Sequence, residues 1–327
     1  MPNLSRTACA AAIALLIGAT ADVAPGAAQS FPSGNVKLIV PVPAGGVTDT
    51  MARIVAQRLS EMWGQSVIVD NRPGGNYGVG AQAVNRAPAD GYTLLVAPDS
   101  AFTANPALFS KLNYDPKGFT PIMVLCRGSP VLVVNSSVPA NSVQELIALA
   151  KSQPDKLNYG SYGVGTYAHL SMEDFKQRTG TDIVHVPYRG AAPALNGLLA
   201  GDVAMLLLNL SSVEAHEKTG KVKILAAATV NRLSARPDLP TIAESDVPGF
   251  ATSVWFAMWG PPHMPAELVN KIYADVSKAL DLPQSREFFT ANSFERVDLS
   301  PAQFGVLVES DLKHWTSLIN AVGAKIE

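Results

Sequence analysis

Short apolar runs alternate with amphipathic helical patterns along almost the whole of this 327-residue chain, and that alternation restricts its fold more than any other feature. A strand covered on both faces reads as a continuous apolar run, and a helix lying over it repeats its apolar residues every 3.6 positions. Segments 36–40, 66–69, 92–97, 122–126, 131–134, 157–159, 183–186, 203–208, 223–227 and 254–259 read as strands. Helical patterns occupy 50–62, 79–86, 101–109, a stretch ending near 152, one ending at 178, 192–200 and one ending at 280. Ser142-x-x-Glu145 opens one of these as a capping box, and Ser300-Pro301-Ala302-Gln303 opens the last helix with cap, proline and capping-box glutamine. The expectation is an α/β fold of parallel sheets with helices on their faces. The length suits two domains. Gly128-Ser129-Pro130 separates two close strands and reads as a first crossing between the domains, with segment 254–259 as the return.

Two strands run into glycine turns that lead directly into helices. The first turn is Pro41-Val42-Pro43-Ala44-Gly45-Gly46-Val47-Thr48-Asp49, and the second is Gly160-Ser161-Tyr162-Gly163-Val164-Gly165-Thr166. Glycine lets the backbone turn sharply and present its amides. Thr48 and Thr166 are suitable N-caps, and the first amides of a helix have no partner within it. Those amides, with the positive end of the helix dipole, suit an anion. Facing one another from two domains, the turns would hold both ends of one anionic ligand without any basic side chain; taken alone, the first reads as an ordinary strand-to-helix turn before it reads as a site. Asp49, in the first helical turn, reads as a dipole partner that holds the loop or a ligand-bound water, or as a catalytic carboxylate. Tyr159, Tyr162, Tyr188 and Trp255 read equally well as cleft walls and as core.

Charge and leader narrow the class. The net charge is −2 and only 16% of residues are charged, which argues against nucleic acid or an anionic membrane as partner. Arg6, the apolar run 8–19 and the small residues at 24–28 read as an export signal over residues 1–28, with Phe31 starting the fold. No later run approaches the about 20 apolar residues of a spanning helix. Removal of the signal takes Cys9, so Cys126 is expected as a lone buried thiol.

Enzyme readings have weaker support. Gly78-x-Gly80-x-x-Ala83 and Gly163-x-Gly165-x-x-Ala168 fit the loose dinucleotide fingerprint. The first lies too far past its strand, and the second is followed by a strand ending His185-Val186-Pro187-Tyr188, with no acid for a ribose. The five histidines have no paired metal-ligand spacing, and no G-x-S-x-G elbow is present. His169 reads as a helix-start hydrogen-bonding residue before it reads as a base. No catalytic residue, metal or cofactor is expected; a nucleotide-linked oxidoreductase using the same cleft is the rival.

Several motifs occur in order: Pro43-Ala44-Gly45-Gly46-x-Thr48-Asp49, Asn71-Arg72-Pro73-Gly74, Asp90-Gly91-Tyr92-Thr93-Leu94-Leu95, Asn105-Pro106-Ala107-Leu108, Leu157-Asn158-Tyr159-Gly160-Ser161, His185-Val186-Pro187-Tyr188-Arg189-Gly190 and Pro193-Ala194-Leu195. As a set, covering nearly the whole chain after the leader, they closely resemble the substrate-binding family of tripartite tricarboxylate transporters, the Bug receptors. The resemblance implies a two-lobed periplasmic binding protein, a type II-like Venus flytrap with two crossing strands. It implies a monomeric receptor that binds a small organic acid and serves a membrane permease or, in some members, a sensor. Residues 31–128 and 253–327 would form one domain and 129–252 the other. The resemblance places Val42, Ala44, Gly45, Gly46, Thr48 and Asp49 in one jaw, Ser161, Tyr162, Gly165 and Thr166 in the other, and Ala97 and Asn209 nearby. Val42, Pro43 and Leu208 depart from the family pattern. Leu208 stands where many members carry Asp, which argues against an amino-acid ligand. Tyr162 and Tyr167 add bulk that suits a longer or aromatic carboxylate.

Overall fold

The computed structural model describes residues 31–252 and 254–325. The expected export signal, residues 1–28, lies outside the described residues. Two five-stranded sheets carry the fold. The chain begins with β1 (Val36–Val40), α1 (Val47–Trp63), β2 (Val67–Asn71), α2 (Gly78–Asn85) and β3 (Thr93–Pro98). A 3-10 turn (Asp99–Ala101), α3 (Asn105–Leu108) and β4 (Thr120–Arg127) complete this part. Next come β5 (Pro130–Asn135), α4 (Val143–Ser152), β6 (Asn158–Ser161), α5 (Tyr167–Thr179), β7 (Val184–Pro187), α6 (Ala191–Ala200), β8 (Met205–Asn209), α7 (Leu210–Lys218) and β9 (Val222–Ala227). The chain then returns through β10 (Trp255–Gly260), α8 (Ala266–Asp281), α9 (Pro283–Ala291) and α10 (Pro301–Val322).

The sheet orders are β2-β1-β3-β10-β4 and β7-β6-β8-β5-β9. Each contains one strand antiparallel to both its neighbours, β10 in the first and β5 in the second. This differs from the all-parallel expectation, and the reason is topological. Both strands follow a crossing from the other sheet, and both enter at the edge where the parallel strands end. A strand entering there has to run the opposite way. The pairing shows it: Trp255 opens β10 opposite Arg127, the last residue of β4, and Pro130 opens β5 opposite Asn209, the last residue of β8. Only Gly128 and Ser129 separate the two sheets at the first crossing. The return runs beside it, with Gly128 N–H donating to Val254 O at 2.9 Å and Thr252 N–H donating to Ala228 O at 2.7 Å. The C-terminal edges of the two sheets therefore flank one hinge.

Period-2 alternation builds the core of the second lobe. Leu132, Val134, Met205 and Leu207 pack with Leu146 and Phe175 of α4 and α5. Val131, Val133, Leu206 and Leu208 pack on the other face with Leu198 and Val213 of α6 and α7. Burial on both faces is why residues 131–134 and 205–208 contain no polar positions to alternate. In the first lobe aromatic rings fill one face of the sheet, with Phe102 stacked on Trp259 at 3.9 Å and Phe304 of α10 edge-on to Trp255. Tyr159 and Trp255 thus belong to the core rather than to a cleft wall. Cys126 is buried in β4 as a free thiol, and burial pushes its pKa up.

Both capping signals are present: Ser142 caps α4 through the Glu145 amide, and Ser300 and Gln303 form the reciprocal box at α10. The sequence pattern missed α7 and α9. Each is nine residues long.

Gly80 reports how tightly α2 meets β1. A Cβ there would lie 2.8 Å from Pro41 Cβ and 3.0 Å from its Cα. Gly80→Ala gains about 1 kcal/mol of helix propensity but overpacks against backbone, a cost of about 1–3 kcal/mol. A net loss of stability is expected, seen as a lower urea midpoint at unchanged m-value.

Candidate functional site

Both glycine loops lie at the sheet edges that flank the hinge. The first leaves β1, which ends at Val40. The helix that follows has Gly46 as its N-cap, in extended conformation, and not Thr48 as expected. The reason is that the turn ends earlier: Gly45 takes the positive φ of 93°, and Thr48 enters the helix as its second residue, buried. The first intrahelical bond runs from Thr50 N–H to Gly46 O at 3.0 Å. The amides of Val47, Thr48 and Asp49, ahead of it, have no acceptor within the helix.

Asp49 shapes this loop. Its Oδ2 accepts from Gly45 N–H at 2.9 Å and from Arg53 Nε at 2.9 Å, and its Oδ1 accepts from Asn71 Nδ2 at 2.9 Å. Asn71 also donates to Val42 O at 3.1 Å, tying the start of the loop to its end. Burial acts to raise the Asp49 pKa, but the bonds from Arg53, Gly45 and Asn71 outweigh it and hold the carboxyl below its ordinary value. With its oxygens engaged, Asp49 acts as a strut and not as a base. Pro43, Ala44, Gly45 and Gly46 are exposed.

The second loop repeats the device with another side chain. Thr166 is the N-cap by position, yet its hydroxyl donates backwards to Gly163 O at 2.8 Å instead of capping an amide. Leu170 N–H to Thr166 O, at 3.0 Å, is the first helical bond, so the amides of Tyr167, Ala168 and His169 lack intrahelical acceptors. Gly165 N–H donates to His169 Nδ1 at 3.2 Å. In both loops, then, the glycine before the N-cap is held by the side chain of the third helical residue. The expected helix-start role of His169 is observed.

Ser161 Oγ lies 2.7 Å from His185 Nε2, and the His185 ring is 4.3 Å from that of His169 and stacked on Tyr159 at 4.8 Å. Burial lowers the pKa of both imidazoles; with His169 beside it, His185 falls to about 4. The Ser–His separation resembles that of a nucleophile and its base. However, Ser161 is 0% exposed, and among the described residues no carboxylate hydrogen-bonds His185. The pair holds the loop. Asp49's link to Asn71 and the pairing of His169 with His185 were not legible from spacing, because each joins elements far apart in the chain.

Other expected residues have structural duties. Ala97 is buried in β3 opposite Ala257. The Tyr162 hydroxyl donates to Leu207 O and lies 3.1 Å from that of Tyr167. Asn209 ties the hinge: its Oδ1 accepts from Ser129 N–H at 2.7 Å, and its Nδ2 donates to Ser211 Oγ and Asn292 O. Gly165 is where the lobes meet. A Cβ on it would stand 2.6 Å from Leu108 Cδ1 of α3, and Leu170 of α5 packs with Leu108, Trp315 and Ile319. Beyond Ala97, Asp99 is buried with Oδ1 on Ser100 N–H and Oδ2 without a partner; burial and nearby Asp311 push its pKa well up. Among the described residues no three metal-ligating side chains converge.

Comparison with known proteins gives a consistent result. The sequence model of the tripartite tricarboxylate transporter family receptor matches residues 51–324. Protein BugT of Bordetella pertussis is 32% identical over 326 residues, covering 99% of this chain and 100% of BugT. An R. palustris protein solved with adipate is 36% identical, with a TM-score of 0.83, over 90% of this chain and 98% of that one. MatC from Rhodopseudomonas palustris, with bound malate, is 30% identical at a TM-score of 0.79, over 88% and 100% of the two chains.

Asp49→Ala removes three hydrogen bonds to a buried carboxylate. A loss of about 2–4 kcal/mol is expected at neutral pH, since bonds to a charged group contribute about 1.5–3 kcal/mol each and water compensates part. The lowered pKa fixes the sign of the pH effect: the contribution is present above the unfolded value and lost as pH falls through the folded one. Denaturation of both proteins should show the gap between them narrowing below the ordinary value of 3.8.

Proposed function

The chain belongs to the tripartite tricarboxylate transporter receptor family, and from that premise we propose that it is an extracytoplasmic receptor capturing a small organic carboxylate between its two lobes. In this reading the expected signal at residues 1–28 delivers it to the periplasm, where it works as a monomer and passes its ligand to the permease of a tripartite transporter. The lobes are residues 31–128 with 253–327, and residues 129–252. They close by rotation about the paired crossings, with Asn209 as the tie between them. Closure needs a ligand that contacts the closed form better than the open one.

The observation that carries this reading is the repeated loop. Two helix N-termini, one at each hinge-side sheet edge, offer three free amides apiece in loops braced by their own side chains. A carboxylate is the complementary ligand group. Arg53 follows the first loop by four residues, and its Nε is held by Asp49. Leu208, buried before Asn209, supplies no acid for an ammonium group, so the ligand is a di- or tricarboxylate or an aromatic acid, not an amino acid. The relatives solved with adipate and malate carry ligands of this class.

Val47→Pro tests the first loop with little disturbance. Proline suits the first helical position, and the extended Gly46 before it suits a following proline. The change deletes one amide donor. Calorimetry against adipate, malate and benzoate should show binding by the parent protein and an affinity about 10- to 100-fold weaker in the variant, the equivalent of one charge-assisted bond. Equal affinities with the fold intact would remove the first loop from the site.

A further inference from the structure

The two loops are braced alike but by groups of different acid–base chemistry. In the first the acceptor is the carboxylate of Asp49, and in the second it is the imidazole Nδ1 of His169. Ionised Asp49 accepts at any pH above the acid range. An imidazole nitrogen accepts only while unprotonated; a proton on Nδ1 turns it into a donor facing the Gly165 N–H, itself a donor. We propose that His169 is a positioning residue of the second loop, and that its protonation releases the Gly165 amide and with it the ligand, while the first loop stays formed. The proposal rests on the reading of both loops as the ligand-holding jaws.

The surroundings of His169 favour the neutral ring. It is buried at the start of α5, with the His185 ring 4.3 Å away from β7. His185 is in turn enclosed by Tyr159 and Ser161 of β6. Two imidazoles this close disfavour a second charge once one is protonated. The charged groups facing the pair are Glu173 and Lys176, both on α5. Glu173 favours a proton on the rings and Lys176 opposes it, and the two are bonded to each other at 2.9 Å, with Glu173 also accepting from Tyr159 Oη at 2.6 Å. Desolvation is the largest influence on both rings, and it lowers their pKa values. The loop therefore keeps its shape at neutral pH and yields only below the ordinary imidazole value of 6.5. Loss of the bracing bond reaches the amides of Tyr167, Ala168 and His169, because Gly165 leads into them with a positive φ of 84° that this bond helps to hold.

Asp99, in the other lobe, has its pKa raised by burial and by Asp311, so it also takes up a proton as the pH falls. The diagnostic quantity is therefore a difference between proteins, not one pH profile. His169→Asn places an amide oxygen where Nδ1 stood, an acceptor that does not titrate in this range. His169→Leu supplies no acceptor at any pH. With adipate as probe, the affinity of the parent protein should fall as the pH is lowered below the ordinary imidazole value of 6.5, by at least about tenfold once the ring is protonated, about one hydrogen bond's equivalent. His169→Asn should bind within about threefold of the parent at pH 7.5 and lose most of the acid dependence. His169→Leu should bind weakly throughout. A ligand-free readout accompanies this: the Gly165 amide resonance should titrate in the parent and stay put in His169→Asn. A Gly165 resonance indifferent to pH, or an acid loss identical in parent and His169→Asn, overturns the proposal. Failure to bind adipate, malate or benzoate at pH 7.5, with a titrating Gly165 resonance, instead counts against the receptor reading and leaves the brace standing.

Discussion

The structure depends on main-chain amides that a helix cannot use itself. An N-terminus leaves its first donors without acceptors, and most helices answer this with a capping side chain or water. Here α4 and α10 are capped conventionally by Ser142 and Ser300, whereas α1 and α5 are not: Gly46 has no side chain to offer, and the Thr166 hydroxyl turns away to Gly163 O. Both α1 and α5 start at the hinge-side edges of their sheets. Their third residues, Asp49 and His169, reach back past the free amides to the glycine before the cap. The brace fixes the loop and leaves the donors open.

The hinge puts these ends together through strand direction. A chain that crosses between sheets at their C-terminal edges must enter the next sheet antiparallel, and β5 and β10 do so. The loops after parallel strands lie at those same edges, so the crossing that joins the lobes also brings their helix N-termini to one side. Binding at the carboxyl ends of strands is general in open α/β sheets. In this chain the crossing turns two such edges toward a single hinge, and Asn209 bonds Ser129 on one strand of the crossing and Asn292 beside it.

Much of this could be read from the sequence, for reasons that differ by element. Strands buried on both faces announce themselves as apolar runs, so β1, β3, β5 and β8 were found within a residue or two. The box at Ser300 gave the start of α10 because capping is a local signal. Strand direction was not legible, since an apolar run reads the same in a parallel or antiparallel sheet. The N-cap of α1 was misplaced because Thr48 has the better capping side chain, and only the positive φ at Gly45 shows that the turn has already ended. Cross-chain partners were the least accessible: Asn71 for Asp49 lies 22 residues away, and nothing in either local pattern pairs them.

Gly165 explains why holding a ligand and closing the lobes would be a single event. It carries the amide that His169 braces, it precedes the free donors of α5, and it lies against Leu108 of the opposite lobe. A side chain there would hold the lobes apart, as a Cβ would already fall 2.6 Å from Leu108 Cδ1. Glycine therefore serves two needs at one position, a left-handed turn and a close approach between lobes. In the proposed function, a ligand that orders this loop would also order the surface against which the first lobe closes, so its contacts with the amides and the apolar seam of Leu108, Leu170 and Trp315 would reinforce one another.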